Sequence, residues 1–464
     1  MPPSNSPTFS PADLEELRQR VAGPVLTPRD DGYDRETAAY NLATPVRPDV
    51  VVGAQDADDV AAAVAWAAAH HVPLGVQATG HGADLPMQGG LLISTARLQE
   101  CTVDPESRTA HVGAGVRWRS VLEASVPHGL VGLNGSATDV GVVGYTLGGG
   151  LPVLGRTFGF AADHVRSFEV VTPDGRRRAV DAGHEPELFG LLRGGKGNLG
   201  VVTAMEFELL PLDGLYGGAI IYPGAHAREV LTAWSRWTAD LPETVSTSIA
   251  LLRLPAMDIV PEPLRDRFVV QLRYACTASE EEAERLLGPM RALPDPVMDT
   301  VGPMSYRDVD AIHMDPPVPI PYREAGRLLE DVDGDAVEAL LGQAGPDSDC
   351  PLALIEVRLM GGALSRAPEG AADLVAGREG RYVIGLVGLT VPPDGDRVPA
   401  AIEGVLEALD GHVSERTMVN FLGSVDGDED SVRAWSDEDR SRLLTAKAAY
   451  DPGNLLRFQH AVRA

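Results

Sequence analysis

Lysine is almost missing from this 464-residue chain: Lys196 and Lys447 are the only two, and arginine supplies the remaining fixed positive charge. A Schiff-base mechanism therefore has little room. Positive charge as a whole is scarce, with 39 Lys and Arg against 67 Asp and Glu and a formal charge of −28. That balance argues against nucleic acid, because binding a polyanion needs cations to displace its counterions. Cysteine is sparse too. Cys101, Cys276 and Cys350 lie far apart with no CxxC spacing, which removes any sequence-local zinc or redox motif and leaves three reduced core thiols. No uninterrupted apolar stretch reaches the roughly 18 residues of a membrane span. Residues 1–21 lack the basic-then-apolar order of a secretory leader, so the expectation is a cytoplasmic protein with no membrane partner. GxSxG, HExxH and CxxC are all absent, which leaves hydrolase and metal readings without local support.

What is present is glycine, and it is concentrated. GVVGYTLGGG, residues 141–150, sets glycines among Val, Tyr and Leu, a composition that brings bare backbone against something large. VQATGHGAD, residues 76–84, has the same character, with an apolar strand-like entry, a glycine turn and His81 at its centre. Two such loops in one domain point to a cofactor. GKGNLG at 195–200 fits the GxGxxG spacing of a dinucleotide fold, but a helical pattern precedes it and a β-rich run follows. That order is the reverse of what puts a pyrophosphate on a helix amino terminus, so the motif is not a Rossmann fingerprint.

At this length the chain predicts more than one domain. Ser10 followed by PADLEELRQRVAG reads as a capped helix. From Pro48 short β/α units follow: VVVGA, the helix DADDVAAAVAWAAAHH, LGVQA and LLIS, then AHVGAGV and a helix over 116–130. FEVVTPDGRRRAV reads as a hairpin, followed by a helix at PELFGLLRGG and a long strand at GVVTAMEFELLPL. Near Pro211 the pattern changes to longer strands, 214–222, 246–254 and 267–275, separated by helices and closed by 353–362 and 381–390. MVNFLG at 418–423 reads as a strand before an acidic loop, and YDPGNLLRF as a segment that packs back on the first domain. The predicted division is 1–212 for a first domain, 213–412 for a second with an antiparallel sheet covered by helices, and 413–464 returning to the first.

These elements resemble, in order and over most of the chain, the berberine bridge enzyme-like FAD-linked oxidases. That family lies within the vanillyl alcohol oxidase and p-cresol methylhydroxylase (PCMH) flavoprotein fold. The resemblance is carried by PDVVVGAQDADDV, TGHG, GVVGYTLGGGLPVLGRTFGFAADHV, ELFGLLRGGKGNLGVVT, VNFLG and YDPGNLLRF. It implies an α+β chain with a two-subdomain FAD-binding domain of the PCMH type, and FAD held with its pyrophosphate in the loop Ala78–Ala83. It also implies a bond between the imidazole of His81 and the flavin 8α-methyl carbon. Implied cofactor contacts are Ala78, Thr79, Gly80, Gly82 and Ala83 in the first loop, and Ser136, Thr138, Val140, Gly141, Gly144, Tyr145, Gly148 and Gly149 in the second. Gly200, Val202 and Asn420 complete the set. Members linked twice carry a cysteine where GSATDVG has Ala137, so one link is expected. Val140 falls where the family sets oxygen access, and a small residue there resembles an oxidase.

The tyrosine that several such oxidases place after VNFLG is missing from GSVDGDEDSVRAW, whose acids read as solvated. Tyr145, at a position often histidine in the family, and Tyr382 and Glu356 on strands of the second domain are the remaining acid–base candidates. The resemblance implies hydride transfer from a C–OH or C–N carbon of a small organic or secondary-metabolite substrate to FAD, with O2 as final acceptor, by a monomer or homodimer. A dehydrogenase of the same fold and a non-redox cyclase or binding protein on this scaffold stay open at this point.

Overall fold

The computed structural model describes residues 9–462 apart from 84, 259, 371, 424–432 and 459. The acidic run at 424–432 and the first eight residues of the amino terminus therefore lie outside the described residues.

The chain opens with helix α1 (Pro11–Arg20), started by a reciprocal cap in which Ser10 and Asp13 each accept the other's backbone N–H. A four-stranded sheet follows, built from β1 (Val25–Leu26), β2 (Val50–Gly53), β3 (Leu74–Gln77) and β4 (Leu91–Ser94) in the order β1-β2-β4-β3. β2, β4 and β3 are parallel and rich in Val, Leu and Ile, as a sheet covered on both faces requires. Helix α2 (Ala57–Ala69) connects β2 to β3, started by the Asp56 carboxylate, which accepts the N–H groups of Asp58 and Asp59.

A second sheet is antiparallel throughout. Its strands β5 (Cys101–Asp104), β6 (Thr109–Gly113), β7 (Val165–Val171), β8 (Arg177–Asp181) and β9 (Val201–Glu208) lie in the order β8-β7-β9-β6-β5. Between β6 and β7 come α3 (Trp118–Ser125) and the short α4 (Val142–Thr146), and α5 (Pro186–Leu192) precedes β9. One hydrophobic core joins both sheets, including Val50, Trp66, Ile93, Val112, Trp118, Phe168 and Leu192. GKGNLG thus has a helix before it and a strand after it.

The third sheet has eight strands. β10 (Leu215–Pro223), β11 (Val245–Leu254), β12 (Arg267–Cys276), β13 (Met298–Asp299), β14 (Gly302–Met304), β15 (Tyr322–Leu329), β16 (Leu352–Leu359) and β17 (Tyr382–Leu389) run antiparallel in the order β13-β10-β12-β11-β16-β17-β15, with β14 beside β10. Helices α6 (Ala227–Trp237), α7 (Glu280–Arg291), α9 (Gly334–Ala344) and α10 (Val398–Ala408) cover one face. Ile249, Leu272, Ile355, Val357 and Ile384 meet them there. Alternation turns their strand neighbours to the opposite face, so Ser248, Arg273, Glu356 and Arg358 share it by register.

The short helix α8 (Asp310–His313) docks this domain on the first. Its Asp310 carboxylate accepts the Thr138 N–H at 2.8 Å and the Thr138 hydroxyl at 2.5 Å. The segment MVNFLG is a single 3-10 turn over Val419–Phe421, not a strand. The reason is local: Gly423 sits at φ +77° against the Glu324 carbonyl, and the Asn420 amide donates to the Tyr145 carbonyl at 2.9 Å, anchoring the turn where a ladder would need extended backbone.

The last helix, α11 (Asp437–Tyr450), returns to the first core through Leu443 and Ala446. Buried Lys447 donates to the Asp451 carboxylate at 3.0 Å, the Asn198 carbonyl at 3.3 Å and the Leu456 carbonyl at 2.7 Å. Leu74 of β3 donates its N–H to the Leu455 carbonyl at 2.8 Å, so a segment some 380 residues downstream completes the edge of the first sheet.

Candidate active site

The loop leaving β3 holds His81 in a defined frame. Its Nδ1 lies 2.9 Å from the Thr79 hydroxyl, its ring stacks on Tyr40 with centroids 3.9 Å apart and planes 13° from parallel, and Tyr322 of β15 donates to its carbonyl at 3.1 Å. Burial, reinforced by Arg117, pushes the imidazole down to about 4, against the opposing pull of Asp139 and Asp315. His81 is therefore neutral at physiological pH.

The two glycine loops meet here, since a Cβ on Gly141 would stand 3.6 Å from the Thr79 methyl and 3.8 Å from the Ala78 side chain. Gly82 and Gly144 are exposed and face open space, with the Lys196 ammonium 3.9 Å from a Cβ on Gly82 and donating to the Gly144 carbonyl at 3.3 Å. Asn420 accepts from the same ammonium. Other glycines singled out from the sequence serve the protein's own packing. A Cβ on Gly80 would lie 2.5 Å from the Ala39 backbone and one on Gly148 would overlap the Asn420 amide. The N–H groups of Gly148 and Gly149 are spent on the carbonyls of Tyr145 and Thr146, so they have no proton to offer a phosphate. Gly200 packs on the Val170–Val171 backbone, Val202 and Ala83 are core residues, and both Thr138 donors go to Asp310. Ser136 and Val140 are half-buried in the second loop.

The face of the eight-stranded sheet turned away from its helices is buried and charged. Glu356, 5% exposed, accepts from the Ser248 hydroxyl at 2.6 Å and Arg358 Nε at 2.8 Å, pairs with Arg273 at 2.5 Å, and lies 3.5 Å from His313 Nε2. Burial alone would raise its pKa, but Arg273, Arg358 and His313 outweigh that and hold the carboxylate well below its usual range. With its lone pairs so engaged, Glu356 stands as a fixed counter-charge to the two arginines. Tyr382, another of the acid–base candidates, lies on the other face. It falls on the helix-covered face beside Trp234, with its hydroxyl 2.9 Å from that of Thr238, because strand alternation points it away from the charged side. Tyr145 packs edge-on against Trp118, and its buried hydroxyl has no hydrogen-bond partner among the described residues. Burial raises its phenol well above the ordinary value, so it rests protonated.

Residues 48–181 match the FAD binding domain family. The chain is 24% identical over 460 residues to the FAD-linked oxidoreductase YgaK of Bacillus subtilis, covering 96% of this chain and 98% of that one. The chain thus carries an FAD binding domain and resembles FAD-linked oxidoreductases along nearly its whole length. Its fold is that of the xylooligosaccharide oxidase of Myceliophthora thermophila (TM-score 0.84, 20% identity, 97% and 99% coverage). It is equally that of 6-hydroxy-D-nicotine oxidase from Arthrobacter nicotinovorans (TM-score 0.81, 20% identity, 96% and 98% coverage).

The residues present fit FAD. Gly82 and Gly144 leave room where any side chain would intrude, Lys196 offers an ammonium to a diphosphate, and a neutral imidazole stands at His81. Sequence reasoning singled out Lys196 only for its rarity and passed over Tyr40, Tyr322, Arg273, His313 and Arg358. Lys196 carried a signal all the same: a lysine in a glycine-rich turn, at φ +55°, holds a left-handed conformation that a lysine seldom adopts.

Proposed function

We propose that this FAD-linked oxidoreductase is an oxidase that takes hydride from a C–OH or C–N carbon of a small organic or secondary-metabolite substrate. The cofactor is joined through His81, and O2 is reduced to hydrogen peroxide. The observation that carries the reading is a neutral, framed imidazole where the two glycine loops meet. FAD, when bound, supplies the hydride acceptor and its reoxidation by O2.

The chain's own residues hold and orient. His81 is kept unprotonated, the form whose nitrogen can bond a flavin methyl carbon, while Thr79 and Tyr40 fix its ring. Lys196 neutralises diphosphate charge. Tyr145, resting as the phenol with an unmatched hydroxyl, would orient the carbon that loses hydride by donating a hydrogen bond to the substrate heteroatom. Glu356 keeps Arg273 and Arg358 in place on the charged sheet face.

The test is the visible spectrum of the purified protein before and after acid precipitation, beside His81→Ala. Yellow colour that stays with the pellet in the parent and leaves it in the variant supports the histidyl link. Colour released from both removes the link, and a colourless protein with no affinity for FAD overturns the reading. Substrate-dependent bleaching that recovers within seconds in air identifies an oxidase; slow recovery identifies a dehydrogenase.

A further inference from the structure

In a chain of charge −28, one small pocket of about 30 Å³ is lined by three arginines, Arg156, Arg273 and Arg358, and among the described residues by no acid. It lies between the charged face of the eight-stranded sheet and the segment that follows the glycine run at 148–150. Arg156 is spent on backbone, donating to the carbonyls of Val245, Leu241 and Met360. Arg273 and Arg358 share a single carboxylate, Glu356, which stands beside the cavity but does not line it. Asp315 also acts on Arg358, and Glu243 acts on Arg156 while itself paired with Arg366.

The polar atoms around this cavity are incompletely used. Ser246 Oγ, Arg273 Nε and His313 Nδ1 are buried and have no hydrogen-bond partner among the described residues, and all three residues line it. Arg273 is 2% exposed and His313 6%, so bulk water does not satisfy them. Each unmatched buried donor carries a desolvation cost that a ligand oxygen would remove. Arg273 Nε–H and the Ser246 hydroxyl are donors, and His313 Nδ1 carries the proton in one of the two neutral tautomers. Donors converging from β11, β12 and α8 beside excess guanidinium charge form a receptor for an oxyanion.

We infer that the substrate carries a carboxylate, and that this group docks in the Arg273–Arg358–Ser246–His313 cavity. The inference rests on the oxidase reading for the meaning of substrate, but the anion site stands on its own geometry.

The experiment is a titration of the full-length protein with acetate, propionate and benzoate against acetamide, propionamide and benzamide, read by melting temperature and by the flavin difference spectrum. Each carboxylate should bind at least tenfold tighter than its amide. Arg358→Gln and Ser246→Ala, both at positions less buried than Arg273, should each shrink that preference several-fold. Equal binding of acid and amide, or a preference untouched by both variants, overturns the inference. Chloride or phosphate binding as tightly as the carboxylates would make this an inorganic anion site and would also overturn it. The two readings fail separately: protein that holds FAD but ignores carboxylates loses only this inference. Protein without FAD loses the oxidase reading, and its melting temperature still reports carboxylate binding.

Discussion

The glycine loops of the first domain and the charged sheet face of the second are built from opposite materials. The first domain presents backbone: Gly82, Gly144 and a loop centred on His81, whose imidazole is held neutral. The second presents side chains: Arg273, Glu356 and half-buried Arg358, ion-paired with one another, with the buried His313 imidazole beside them. A backbone wall tolerates neighbours of many shapes but no added atoms, whereas a charged wall tolerates added atoms but no lost partner. The first suits a large cofactor of constant shape, the second a small variable substrate.

Removing one partner from the charged wall should have the largest effect. Glu356→Ala leaves Arg273 and Arg358 buried without their carboxylate and should cost about 3–5 kcal/mol in denaturant-induced unfolding. A loss below about 1 kcal/mol would break the contrast. On the backbone wall, Gly80→Ala drives a Cβ into the Ala39 backbone at a positive φ and should cost about 1–3 kcal/mol. Gly144→Ala meets nothing within 4 Å and should leave stability within about 0.5 kcal/mol. Its effect belongs in the FAD-to-protein ratio of the purified protein, and if both alanines behave alike, the division between packing glycines and exposed glycines fails.

This contrast also explains what the sequence disclosed. The glycine loops, His81 and the six ordered motifs were legible because a backbone wall is made of contiguous residues whose spacing is the site. The charged wall was not, because Arg273, His313 and Glu356 come from three segments that only strand pairing brings together. Period-two alternation offered two faces for β17 and β16, and register assigned them: Tyr382 to the helices, Glu356 to the charged side. The turn at Val419–Phe421 was misread as a strand because its apolar residues carry no mark of the Asn420 anchoring that bends it.

Protonation distinguishes the walls as well. His81 is lowered from an ordinary value near 6.5 to about 4, so between those values the unfolded chain binds more protons than the folded one. Its contribution to stability is complete above pH 6.5 and is lost as pH falls toward 4. His81→Ala should flatten the slope of unfolding free energy against pH in that window, measured on FAD-free protein, and an unchanged slope would remove the neutral imidazole from the account. The smallest effect is expected from Tyr382→Phe, which deletes one hydroxyl contact with Thr238. It should cost about 1 kcal/mol in unfolding and leave turnover unchanged. A fall in kcat of tenfold or more would return Tyr382 to the active site.

The hydrogen bond from Leu74 to Leu455 and the buried Lys447 ammonium have a consequence for the order of events at the ribosome. The edge of the first sheet, directly before the His81 loop, is finished by residues made after the whole eight-stranded domain has emerged. The first half of the chain must then wait for its closing segment while the second half folds, and such long-range closure is slow. A chain whose synthesis stops before residue 455 lacks the contact that finishes the sheet edge directly before the His81 loop, however much of its FAD-binding sequence it contains.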